Sequence, residues 1–78
     1  MIQVYSSANC TFCTQAKTLL TSKNIQFMEI RIDEDSVAKA FILSEGHRTV
    51  PQIYKDGKLF VKGGLQGLRA MSESELVA

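Results

Sequence analysis

The chain predicts an α/β fold: a four-stranded mixed sheet flanked by three helices, in the order βαβαββα. Three observations carry that reading. A short apolar strand and an alternating one bracket a helical stretch, which makes a right-handed parallel crossover. Asp56-Gly57 lies between two strand-like runs, and that residue pair suits a tight hairpin, so an antiparallel pair must follow. Gly63-Gly64 then breaks the chain ahead of Leu65, Leu68 and Met71, which recur at helical spacing.

Each element has its own signal. Ile2 and Val4 precede the loop Ser6-Ser7-Ala8-Asn9 and make a short first strand. Phe12, Ala16, Leu19 and Leu20 fall on one face of a helix over residues 12–23, which Ser22-Lys23-Asn24 ends. Residues 25–32 form a second strand, with Met28, Ile30 and Ile32 on one side and Glu29 and Arg31 on the other. Asp33-Glu34-Asp35-Ser36 offers acids and a capping oxygen to a second helix. That helix turns Val37, Ala40, Phe41 and Ser44 to one side and stops at Gly46. Gln52-Ile53-Tyr54 and Lys58-Leu59-Phe60-Val61 are the hairpin strands. Ser72-Glu73-Ser74-Glu75 suits either the end of the third helix or a new turn.

Composition narrows the class. Seventy-eight residues, 45% hydrophobic and 22% charged, describe one small globular domain over 1–78. The net charge of +1, without a basic run, argues against nucleic acid or an anionic membrane as partner. No apolar stretch approaches the roughly 18 residues that span a bilayer. Met1-Ile2-Gln3-Val4 lacks the features of a secretory leader, so a cytoplasmic location is expected; a monomer is expected as well. In a reducing compartment a cysteine pair is more often redox-active or metal-binding than a structural staple.

The two cysteines are Cys10 and Cys13, spaced Cys-x-x-Cys at the start of the first helix. A thiolate, not a thiol, attacks a disulfide, and free cysteine is mostly protonated at neutral pH. Cys10 should meet unpaired backbone N–H groups and the positive end of the helix dipole. It is therefore the expected nucleophile, and Cys13, one turn further in, the resolving thiol. Lys17 reads as a solvated lysine. Zinc wants about four ligands, and two Cys with one His, His47, do not supply them. No metal is expected within one chain, although two chains could share an iron–sulfur cluster through Cys10.

Three further features stand out. Thr49-Val50-Pro51 contains the only proline, which suits either a plain strand start or a cis bond whose Val50 backbone pairs with an extended peptide. Gly63-Gly64 suits either a flexible break or a close backbone approach to a carboxylate. Arg48 could pair with a carboxylate, and His47 reads as a surface-loop histidine.

Cys10-Thr11-Phe12-Cys13 with Ala16-Lys17 and Leu19-Leu20, then Arg48-Thr49-Val50-Pro51-Gln52-Ile53-Tyr54, then Gly63-Gly64, together resemble the glutaredoxins. The resemblance implies a thioredoxin-like fold, a cis Pro51 beside the cysteines and glutathione as reductant. It implies that Cys10 accepts glutathione and that Phe12 replaces the usual tyrosine. Val50 would pair its backbone with glutathione, Arg48 and Thr49 would line the groove, and Gly64-Leu65-Gln66 would receive the γ-glutamyl end. The substrates implied are disulfide-containing proteins and glutathione mixed disulfides. Thr11 replaces the family's usual proline, Ser7 a frequent lysine or arginine, and Leu65-Gln66 a typical aspartate or serine. A charge-assisted contact is worth about 1.5–3 kcal/mol, so the lost charges should weaken glutathione binding. The chain also resembles the small electron donors of ribonucleotide reductase that thioredoxin reductase reduces, but it has no tryptophan for their C-terminal motif.

Overall fold

The computed structural model describes residues 1–77. Its elements are β1 (Ile2–Ser6), α1 (Thr11–Ser22), β2 (Phe27–Arg31), α2 (Ser36–Ser44), β3 (Gln52–Lys55), β4 (Lys58–Val61), α3 (Gly64–Ala70) and α4 (Glu73–Val77). The sheet order is β2-β1-β3-β4. β1 runs parallel to β2, as the crossover requires, and antiparallel to β3, which pairs antiparallel with β4. This is the four-stranded mixed sheet that the pattern predicts, with the thioredoxin-like fold that the resemblance implies.

Alternation along the two central strands makes two cores. Ile2 and Val4 of β1 and Ile53 of β3 face α1, α3 and α4, where Ala16, Leu20, Leu68 and Leu76 bury with them. Tyr5 and Tyr54 point the other way, onto Ala38 and Ile42 of α2. Fully burying one such side chain is worth about 1.5–3 kcal/mol. The β3–β4 turn is the expected tight one, with Asp56 at φ 53° and Gly57 at φ 83°.

Several boundaries and faces differ from expectation. β2 begins at Phe27, because Ile25 is buried in the turn where its N–H reaches Leu20 O at 3.0 Å. In α1 the core face is Cys13, Ala16 and Leu20, while Phe12 is 57% exposed. In α2 the buried pair is Ala38 and Ile42, and Val37 is 78% exposed. Asp35 sets that phase by accepting the N–H groups of Val37 and Ala38, and a nearly all-apolar helix has no stripe to betray it. The tail adds a fourth helix. Ser72 and Glu75 cap each other's backbone N–H groups at 3.3 and 2.8 Å, which starts α4 and seats Leu76 in the core.

Candidate active site

Cys10 is the N-cap residue of α1, with extended backbone (φ −106°, ψ 101°). That conformation turns Sγ onto the helix start, where it accepts the Cys13 N–H at 3.1 Å. A sulfur anion held at that position would gain from this N–H as a carboxylate does at an N-cap. Cys10 and Cys13 are joined as a disulfide with Cα atoms 5.2 Å apart. Cys10 is half-buried, whereas Cys13 is 1% exposed. An incoming disulfide can reach the first sulfur and not the second.

Val50 stands beside the pair, its carbonyl oxygen 3.8 Å from Cys10 Sγ. The Val50–Pro51 peptide is cis. The β1–β3 ladder ends at the Tyr5–Gln52 pair, so Thr49 and Val50 lie beyond it with their backbone outside the sheet. Gln52 steadies them, its Nε2 donating to Thr49 O at 2.9 Å. Gly64 closes the opposite side. It has φ +57°, and a Cβ there would stand 2.9 Å from Pro51 O. The third motif thus packs directly on the second, so Gly64 is in close contact with Pro51 and is not a loose break.

Between these walls runs a groove of about 560 Å³. Phe12, Thr49, Val50 and Pro51 line one part of it, and Gly64, Leu65 and Gln66 another. Leu65 contributes mainly backbone, since its side chain is 4% exposed within the core, while Gln66 is exposed. Arg48 is exposed and lines not the groove but an adjoining cavity of about 300 Å³ with Ser7 and Lys39, which shares His47, Thr49 and Val50 with the groove. Lys62 and Leu59 also line the groove, and sequence reasoning missed them because hairpin strands give no hint of what their edge faces.

The other flank of the cysteines is polar. Cys10 and Cys13 share a cavity with Lys17, Glu29 and Arg31. Lys17 is not merely solvated: its Nζ donates to Glu29 Oε2 at 2.7 Å, and Ser6 Oγ donates to the same oxygen at 2.7 Å. These two hydrogen bonds hold the Glu29 carboxyl below its ordinary pKa. Lys17 is thus paired with Glu29 in the cavity it shares with Cys10. Arg31 donates to Asp33 and pulls its pKa down to about 2, and Asp33 Oδ2 accepts the Ala8 N–H at 3.3 Å. The loop leading to Cys10 is tethered through that bond. Among the described residues, no three His, Cys, Asp or Glu side chains gather as a metal site.

His47 is not a free loop residue. It is half-buried, lines the groove and hydrogen-bonds Tyr54. A lone histidine between glycine and arginine gives no sequence signal of that contact.

Comparison with known proteins bears on this geometry. The glutaredoxin family model matches residues 2–60. Glutaredoxin 3 of Escherichia coli K12 is 35% identical over 71 residues, covering 90% of this chain and 83% of that protein. A probable glutaredoxin of Synechocystis sp. is 42% identical over 55 residues, covering 68% of this chain and half of that protein. The buckwheat glutaredoxin–glutathione complex superposes with a TM-score of 0.75 at 26% identity, over 97% of this chain and 72% of that one. With its paired cysteines at a helix start and the Thr49-Val50-Pro51 wall beside them, the chain belongs to the glutaredoxin family of thiol–disulfide oxidoreductases.

Proposed function

We propose that this chain is a glutathione-dependent oxidoreductase, a cytoplasmic monomer that reduces protein disulfides and glutathione mixed disulfides. The observation that carries it is the groove: Thr49–Val50 backbone outside the sheet ladder lies against Cys10, with Phe12 on one side and Gly64 on the other. Glutathione is a short peptide, and exposed backbone at a sheet end is how an extended peptide is held. The buckwheat relative is a glutathione complex, which supports the same reading here.

The Cys10 thiolate attacks one sulfur of a mixed disulfide, and the substrate thiol leaves and takes up a proton. Cys10 then carries the glutathionyl group, and a second glutathione removes it as glutathione disulfide. On a protein disulfide, Cys13 attacks the mixed disulfide at Cys10 and frees the second substrate thiol. The product is the Cys10–Cys13 bond seen here, which two glutathiones reopen.

A second reading rests on the uncharged Ser7 and the buried Leu65, which leave glutathione few charged partners: an electron donor to ribonucleotide reductase, recharged by thioredoxin reductase. Reducing the oxidised protein with glutathione and glutathione reductase, in parallel with thioredoxin reductase, separates the two. Turnover with the first system is the expected result, and turnover with the second alone would sink the glutathione reading. Cys10→Ser should abolish exchange, and Cys13→Ser should still remove glutathione from a glutathionylated peptide.

A further inference from the structure

Glu45, His47 and Tyr54 make a hydrogen-bonded chain behind the wall of the groove. Tyr54 is fully buried on β3, edge-on to both Tyr5 and Phe41. Its Oη lies 2.7 Å from His47 Nε2 and 3.2 Å from Glu45 Oε1. The phenol has one proton and a carboxylate only accepts. Both contacts hold together only when Tyr54 donates to Glu45 and His47 donates Nε2–H to Tyr54. Burial and the Glu45 charge push the Tyr54 pKa up to about 12, so the phenol keeps that proton.

Glu45 and His47 belong to the turn that closes α2, where their N–H groups reach Phe41 O and Ile42 O, each at 3.1 Å. Tyr54 belongs to the middle of the sheet, opposite Gln3 and Leu59. The hydrogen-bonded chain therefore ties the end of α2 to the sheet. Residues 48–51 span from that tie to β3 and are otherwise steadied by Gln52 on Thr49. Without the tie that end of the segment is still held to α2 by the His47 N–H on Ile42 O, but no longer to the sheet through Tyr54.

We propose that His47 is a positioning residue for disulfide exchange: its Nε2–H bond to Tyr54 holds Thr49 and Val50 at the height where they receive the substrate chain. This rests on the reading that the segment is the substrate wall. The same wall contact exists before and during sulfur transfer, so its loss should raise KM and spare kcat.

The test uses the full chain, dithiothreitol as reductant and a disulfide-bonded peptide as substrate, so that it does not depend on glutathione. His47→Ala should raise KM about three- to tenfold, the value of one hydrogen bond, with kcat within about twofold. Tyr54→Phe should do the same, and the double variant should be no worse than either. His47→Gln, which retains an N–H donor at that reach, should recover most of the loss. An unchanged KM in His47→Ala and Tyr54→Phe, or no recovery in His47→Gln, would overturn the proposal even if the melting temperature fell. If His47→Ala does not fold, Tyr54→Phe and His47→Gln decide alone. Amide NMR separates the two layers: no shift at Thr49 and Val50 of the wild type on adding the peptide removes the substrate wall itself.

Discussion

Cys13 is 1% exposed and Cys10 is half-buried, and that difference supports the proposed roles of attacking and resolving thiol more sharply than their shared helix end does. The spacing made the pair legible, and the N-cap position of Cys10 followed from where the apolar periodicity begins. Phe12 was legible as apolar but not as exposed, because a residue in the first helical turn can face core or groove equally well. Tyr54 carries the residue-scale prediction. Its pKa rises from 10.0 to about 12, chiefly through burial and secondly through Glu45. The unfolded chain loses this proton first, so the contribution is intact below about pH 10 and is lost as pH rises through about 12. Urea midpoints measured from pH 9 to 12 should fall steeply for the wild type and less steeply for Tyr54→Phe. Some slope should remain in the variant, since burial and Asp35 also raise the Tyr5 pKa. Equal slopes in both proteins would show that the buried phenol does not govern alkaline stability.

Gly67 shows how an element is seated rather than merely formed. Its Cα faces the turn that joins β4 to α3, and a Cβ there would overlap Lys62 O and press on Val61. Gly67→Ala must push α3 off the sheet, and overpacking of this kind costs typically 1–3 kcal/mol. The expected result is a lower urea midpoint together with a higher KM, because Gly64, Leu65 and Gln66 ride on the same helix. Stability unchanged within error would mean that α3 is not held by this contact. In sequence, Gly67 reads only as a weak spot in a helix, since the contact it permits is with a residue from another element. The same limit explains the phase of α2: its apolar residues are nearly continuous, and the Asp35 cap decides which of them point inward. The fourth helix was half legible. Ser72 and Glu75 carry capping-box spacing, but the choice between an end and a new start needed Leu76 to find a place in the core. The parallel β1–β2 crossover and the hairpin were the most legible, because crossover handedness and Asp56-Gly57 leave few alternatives, whereas the pairing of β1 with β3 had no signal in the sequence.

At the scale of the whole molecule, the proposed glutathione substrate can be drawn in by the net charge or held by local pairing. The chain carries a net charge of +1, and glutathione has two carboxylates and one ammonium. A distant attraction and a local pairing predict different outcomes for two substitutions. Ser7 shares a cavity with Lys39 and Arg48, so Ser7→Lys adds a cation where two already stand. Gln66 is exposed at the other part of the groove, so Gln66→Asp places a carboxylate where the glutamyl ammonium is proposed to lie. If long-range attraction dominated, Ser7→Lys would lower the glutathione KM, Gln66→Asp would raise it, and the double variant, unchanged in net charge, would return to wild type. If local pairing dominates, both lower it and the double variant combines the gains. We expect the second pattern, because at 0.15 M salt the screening length is only about 8 Å. Each exposed pair should contribute about 0.2–1 kcal/mol, a fall in KM of up to about fivefold. Raising the salt should shrink the gain from either substitution without reversing its sign, and a double variant that matches the wild type would point back to the field of the whole molecule.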